Sequence, residues 1–145
     1  HSDSNVATVS ITVRPVNDNP ECGAASVSPA TLWSPDHKMV ALEISGLTDV
    51  EGDAVTVTAV SVRQDEPVEA QADGNTGPDA ILQPLQVRAE RSGLGDGRVY
   101  HVEFRATDAH GGACTGRVLV CVPHDQSGHP STCGDGGPLY DSNVR

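Results

Sequence analysis

The chain has 145 residues, a formal net charge of −11 and 3% aromatic residues. This length corresponds to about one domain, in which aliphatic side chains must supply most of the burial. An acidic chain with nine Lys and Arg cannot neutralise a row of phosphates, which excludes nucleic acid as a partner. The sequence has no apolar stretch near the roughly 20 residues that span a bilayer. We therefore expect no membrane insertion.

Residues 1–14 predict a single terminal strand. Ala7, Val9, Ile11 and Val13 alternate with Ser and Thr, which is typical of a strand with one buried face. Residues 15–21 follow as an extended linker that contains two prolines. The strand is thus detached from the residues after it, and belongs either to a preceding repeat or to a neighbour that accepts it.

Residues 22–122 contain short alternating segments between turns rich in Gly, Asp and Pro. The predicted strands cover residues 39–44, 54–62, 85–89, 98–107 and 117–122. The apolar parity slips between Val57 and Val60, which predicts a β-bulge. The sequence therefore predicts an all-β, antiparallel β-sandwich, followed by an irregular C-terminal tail over residues 123–145.

The four cysteines predict two disulfides. An even number of cysteines in a short chain indicates an oxidising compartment, here extracellular or at the cell surface. Cys121 has the opposite parity to the core-facing valines beside it, so a bond to Cys133 would clamp the tail over the outer face of a sheet. Cys114 shares the parity of those valines, and Cys22 is its natural partner. Of the three possible pairings, we favour Cys22–Cys114 with Cys121–Cys133.

Oxygen-bearing side chains are grouped in the linker and in two turns. The linker carries an Asn-Asp-Asn run, three acidic residues alternate around Gly52, and one Asp precedes a Gly-Gly turn. Calcium takes six to eight oxygen ligands of these types. The alternative interpretation is that the same residues form Asx turns without a cation. The predicted Ca²⁺ ligands are Asn17, Asp18, Asn19, Asp49, Glu51, Asp53 and Asp108.

Several segments resemble known families. Residues 16–20, Val-Asn-Asp-Asn-Pro, resemble the calcium-ligating linker of cadherins and bacterial cadherin-like tandem repeats. Residues 48–53 resemble the Asp-x-Asp-Gly-Asp loop of the bacterial repeats, and residues 106–112 resemble their Ala-x-Asp-x-x-Gly-Gly turn before the last strand. Residues 32–40, 88–93 and 120–125 resemble a C-terminal module of secreted bacterial proteins. The resemblance implies an Ig-like or cadherin-like sandwich with calcium between repeats. The Asp-Arg-Glu segment of animal cadherins has no convincing counterpart, which weakens the case for animal-type adhesion.

Three functions compete at this point. The first is a calcium-stabilised extracellular module that acts as a structural or adhesion element, with neighbouring repeats, copies of itself, surface proteins or glycans as partners. The second is a filament subunit that donates strand 5–14 to a neighbour. The third is a carbohydrate-binding module, which needs exposed aromatic side chains. We expect no enzyme, because no matched nucleophile, base and orienting acid are visible.

Two further segments are weaker candidates for metal sites, and one residue has a predicted structural role. Residues 73–79 are a possible second calcium loop, although a plain turn is favoured. His124, Asp125, His129 and Cys133 offer zinc-type ligands, but Cys133 is better used in a disulfide. Trp33 is expected to plug one end of the sandwich.

Overall fold

A computed structural model describes residues 16–68, 77–125 and 133–144 of the chain. All regular structure in these ranges is β-strand, and they hold no helix long and apolar enough to cross a membrane. The predicted strand 5–14 lies outside them. The strands are β1 (Ser26–Ser28), β2 (Met39–Ala41), β3 (Glu43–Ser45), β4 (Thr56–Gln64), β5 (Ala80–Ile81), β6 (Gln86–Arg88), β7 (Arg98–Thr107), β8 (Ala113–Val122) and β9 (Tyr140–Asp141).

The strands form two groups around one core. One sheet has the order β8-β7-β4-β9. The other group consists of the sheet β2-β6-β5 and the pair β1-β3. These two small sheets are directly connected, because a single residue separates β2 from β3. All strand pairs are antiparallel. Side chains from both groups belong to the same hydrophobic cluster, which is consistent with the predicted β-sandwich.

The two longest hairpin strands supply the centre of the core. The bounds of β7 are those that alternation predicts, and β8 begins four residues before the predicted start. Tyr100, Val102, Phe104, Val118 and Val120 are all buried, as their parity requires.

Other strands depart from the simple pattern. The register of β4 against β7 shifts between Ala59 and Ser61, so the predicted bulge places Val60 outward, 55% exposed. The predicted strand 39–44 is divided at Leu42, because the chain pairs with β6 before this residue and with β1 after it. The Leu42 backbone N–H still donates to the carbonyl of Leu85 at 3.0 Å, in the register of the β2–β6 pair.

Both disulfides join the pairs favoured by strand parity. Cys22–Cys114 links the incoming chain to β8, and Cys121–Cys133 attaches the tail to the same strand. The tail is not wholly irregular, because its residues 140–141 form β9 against the end of β4. The side chain of Asp135 also contacts the Nε2 atom of His101 at 2.8 Å. The tail therefore covers part of the outer face of the β8-β7-β4 sheet.

Candidate metal centre

Three aspartates meet at one end of the β-sandwich. Asp49 lies in the turn before β4, Asp53 three residues before that strand, and Asp108 directly after β7. One carboxylate oxygen from each lies within 4.8 Å of the others. These residues come from distant parts of the sequence, so the antiparallel pairing of β4 with β7 brings them together.

The turn that carries Asp49 and Asp53 is held by its own hydrogen bonds. Asp49 Oδ1 accepts from the backbone N–H groups of Glu51 at 3.0 Å and Asp53 at 3.3 Å. Gly52 has a φ of +77°, a conformation that favours glycine. This leaves Asp49 Oδ2, which is buried and has no hydrogen-bond partner among the described residues.

Asp108 is fixed from both sides. Its Oδ1 accepts from the backbone N–H groups of His110 and Gly112, both at 2.8 Å, and its Oδ2 accepts from Asn17 Nδ2 at 2.8 Å. The hydrogen bond from Asn17, with those two backbone bonds, lowers the pKa of Asp108 against the opposing effect of burial. A Cβ atom on Gly112 would lie 2.4 Å from Asp108 Oδ2, so the Gly-Gly turn is needed for this arrangement.

The linker runs across the same end of the molecule. The backbone N–H of Asp18 donates to Glu51 Oε1, and Asn19 Oδ1 accepts from the N–H of Ala113 at 3.3 Å. Glu21 then forms an isolated antiparallel bridge with Thr48. All seven predicted ligands thus come from segments that meet here, but three carboxylates form the close group. Asp18, Asn19 and Glu51 contribute through the hydrogen bonds that fasten the linker.

The close group fits a divalent cation. Three carboxylates within a few ångströms repel one another unless a positive charge lies between them. Asp49 Oδ2 is a buried acceptor that a cation would satisfy, since a buried polar atom without a partner is costly. Calcium suits such an oxygen-only donor set.

A histidine borders the carboxylates. His110 Nδ1 lies 2.8 Å from Asp53 Oδ2, and this hydrogen bond raises the pKa of His110. Val16, Asn17, Glu51, Asp53 and His110 line an open cavity of about 280 Å³ beside the three aspartates. The three carboxylates therefore lie beside a cavity that opens to solvent.

A second polar cluster, centred on Arg98, lies at the opposite end of the sheet and was not predicted. Arg98 Nη1 donates to Asp79 Oδ2 at 2.8 Å and lies 3.7 Å from Glu90 Oε1, and Arg98 Nη2 lies 3.8 Å from Glu66 Oε2. Gln64 Nε2 also donates to Asp79 Oδ2, at 2.9 Å. Arg98, Asp79, Glu90 and Gln64 are fully buried. The sequence held a signal for this cluster, since Arg98 and Gln64 occupy core-facing positions of their strands.

The Arg98 cluster links separate parts of the chain, and it contains a carboxyl group with a shifted pKa, that of Asp79. Burial raises the pKa of Asp79 to about 6, against the opposing effects of Arg98 and Gln64. The Tyr100 hydroxyl donates to the carbonyl of Arg88 at 2.8 Å, and the N–H of Asp79 donates to the carbonyl of Ser142 in the tail at 2.8 Å. These contacts fasten the turn before β5, the end of β6 and the tail to one another.

The weaker candidates have different outcomes. Cys133 is in a disulfide, so it is no zinc ligand, and His129 lies outside the described residues. Residues 73–76 of the possible second calcium loop also lie outside them, and Asp79 belongs to the Arg98 cluster. Trp33 is 45% exposed, so the prediction that it plugs the sandwich end is wrong. It is left available at the surface, as is Tyr140 at 40% exposure.

Comparison with known proteins does not assign this chain to a family. No protein-family model matches the chain, and neither a curated protein nor a solved structure has significant similarity to it.

Proposed function

We propose that this chain is a calcium-stabilised, Ig-like extracellular module that acts as a structural or adhesion element of a secreted or surface protein. The observation that carries the proposal is the meeting of the linker 16–20 with Asp49, Asp53 and Asp108 at one end of the sandwich. A cation at this point joins the entering chain to the body of the module. The role of the cation is then mechanical, because it fixes the angle between the module and the segment that precedes the linker.

The strand order supports an Ig-like topology. An immunoglobulin constant-type sandwich has strands A, B, E and D in one sheet and C, F and G in the other. If β1 is A, β2 with β3 is B, and β4 to β8 are C to G, both observed orders follow. In this assignment β9 is an addition beside strand C.

The two disulfides support an extracellular location. Disulfides are typical of proteins that mature in an oxidising compartment. One of them holds Cys22, two residues after the linker's Pro20, against β8. The covalent bond and the proposed cation therefore secure the same entrance to the module.

Thermal unfolding with and without calcium tests the proposal. A ligand that binds only the folded state stabilises it, by about 2.7 kcal/mol at a concentration 100 times its Kd. We expect the Tm to rise when calcium replaces a chelator, and expect Asp49→Asn to remove most of that rise. Asn retains the Oδ1 acceptor of the turn but not the negative charge.

Glu103→Gln is the matched control for this experiment. Glu103 is a half-exposed acid on the sheet, paired with Arg117 at 3.1 Å and remote in the fold from the three aspartates. The control should keep the full calcium response. A Tm of the unmodified chain that is the same in calcium and in chelator contradicts the proposal.

A further inference from the structure

The outer edge of β4 is bare over most of its length. One edge of β4 pairs with β7 from Thr56 to Gln64, and the other pairs with β9 at Arg63 and Gln64. Within residues 16–68, 77–125 and 133–144, no strand pairs with that second edge before Arg63, and the tail reaches it only as far as Val62, whose carbonyl accepts from the N–H of Ser142 at 2.9 Å. An unpaired edge presents free backbone N–H and C=O groups that can accept another strand.

This edge lacks the usual protection against strand addition. Exposed edges are commonly protected by charged side chains or prolines. Residues 56–62 of β4 are Thr-Val-Thr-Ala-Val-Ser-Val and contain neither. The first charged residue of the strand is Arg63, where the tail already covers the edge. The bulge at Val60 is the one protective feature of this stretch.

A groove lined mainly by apolar residues, with Glu43 and Gln83 also on its walls, lies beside the bare edge. It separates β4 from β3 and from the turn between β5 and β6, and its volume is about 210 Å³. That is smaller than the roughly 300–1,000 Å³ of typical small-molecule pockets, but it suits the side chains of one added strand. The apolar residues that line it are each partly buried: Leu42, Ile44, Val57, Ala59, Leu82 and Leu85.

We propose that the part of segment 5–14 next to the linker, residues 9–14, docks on residues 56–61 of this edge as an antiparallel strand; residues 9–14 lie outside the described residues. Their alternation places Val9, Ile11 and Val13 on one apolar face. A register that places Val13 beside Val57 and Ile11 beside Ala59 directs these two side chains into the groove and ends before the part of the edge that β9 covers. The opposite face of Thr and Ser then points to solvent.

The position of Val16 favours the chain's own segment over that of a second copy. Val16 lines the cavity with Glu51 and Asp53, and Asp53 is three residues before β4 begins. Three residues span at most about 11 Å, so residue 14 starts close to the edge. A tethered segment within reach has an effective concentration in the millimolar range, which an independent copy rarely matches.

Hydrogen exchange on the full chain tests the docking. The variant Ile11→Asp/Val13→Asp places two charges at the positions that face the groove, and its control Ser10→Asp/Thr12→Asp places two on the polar face. We expect amide exchange over residues 56–61 to accelerate at least about tenfold in the first variant and to stay unchanged in the control. Amides of β7 and β8 should remain protected in both, which shows that the sandwich stays folded.

Sedimentation velocity on the same samples identifies the occupant. The proposal requires a monomer in which residues 56–61 are protected. A dimer or larger species with the same protection means that the segment comes from a second copy, and overturns docking within one chain. Equal exchange over residues 56–61 in the unmodified chain and both variants overturns the assignment of residues 9–14 to this edge.

Discussion

Replacement of Arg98 by Met should be among the most destabilising single substitutions in this chain. Met preserves most of the length of the side chain but removes every donor. Asp79, Glu90 and Glu66 have oxygens 2.8, 3.7 and 3.8 Å from the guanidinium, and all three would lose this positive charge. Arg88 Nε would remain 3.7 Å from Asp79 Oδ1, and His37 Nδ1 3.0 Å from Glu90 Oε2. Removal of one partner from a buried ionic cluster costs about 3–5 kcal/mol. We expect a loss of that size at pH 7.

The matched control is Arg117→Met. Arg117 pairs with Glu103 at 3.1 Å, but both side chains are about half exposed, and such pairs contribute about 0–1 kcal/mol. Urea denaturation at pH 7 and pH 5 measures both variants. The cost of Arg98→Met should be smaller at pH 5, because a buried carboxyl that has lost the positive charge of Arg98 can then take up a proton. A loss below about 1 kcal/mol at pH 7, equal to that of the control, refutes a stabilising role for the cluster.

Three further predictions concern stability. The pKa of Asp79 is about 6 in the folded state and 3.8 in the unfolded state, so protonation of Asp79 favours folding. This stabilisation, about 3 kcal/mol, is fully present below pH 3.8 and is lost as the pH rises through about 6. Asp79→Asn should therefore flatten the fall in urea-derived stability between pH 4 and 7. A Cβ atom on Gly116 would lie 2.6 Å from the Phe104 ring, so Gly116→Ala should cost about 1–3 kcal/mol. From loop lengths of 92 and 12 residues, removal of Cys22–Cys114 should cost about 5 kcal/mol and removal of Cys121–Cys133 about 3 kcal/mol.

Each of these predictions has a distinct contrary result. Parallel pH profiles for the unmodified chain and Asp79→Asn exclude Asp79 as the titrating group. Gly23→Ala is the control for Gly116→Ala, because a Cβ there meets nothing within 4 Å, and equal losses in both show that the Phe104 contact is unimportant. For the disulfides, a larger loss from Cys121–Cys133 contradicts the loop-length argument.

The alternation of apolar and polar residues along the sequence predicted which residues form the long strands and which of them face the core. The bounds of β7, its buried face and the bulge in β4 all follow from which residues share a strand face. The parity of Cys114 and Cys121 relative to the β8 valines led to both disulfide pairs. The division at Leu42 was missed because it marks a change of pairing partner from β6 to β1, and both partners are distant in the sequence.

The alternation of residues along the sequence could not predict polar contacts between distant parts of the chain. Asp79 looked like a turn residue beside Gly77 and Pro78, and nothing local indicates that Arg98 lies opposite it. The tail was predicted to be irregular because β9 is two residues long and depends on β4 for its pairing. The group of three aspartates was easier to foresee, since each turn carries oxygen-bearing side chains, but their convergence depends on the register of β4 with β7.

The most direct test of the proposed function is a crystal structure of the chain grown with calcium. The account predicts an anomalous peak between the carboxylates of Asp49, Asp53 and Asp108, at about 2.3–2.6 Å from their oxygens, with the linker ordered against it. The peak should be missing from crystals of Asp49→Asn. A structure at saturating calcium with only water among these three carboxylates would contradict the account.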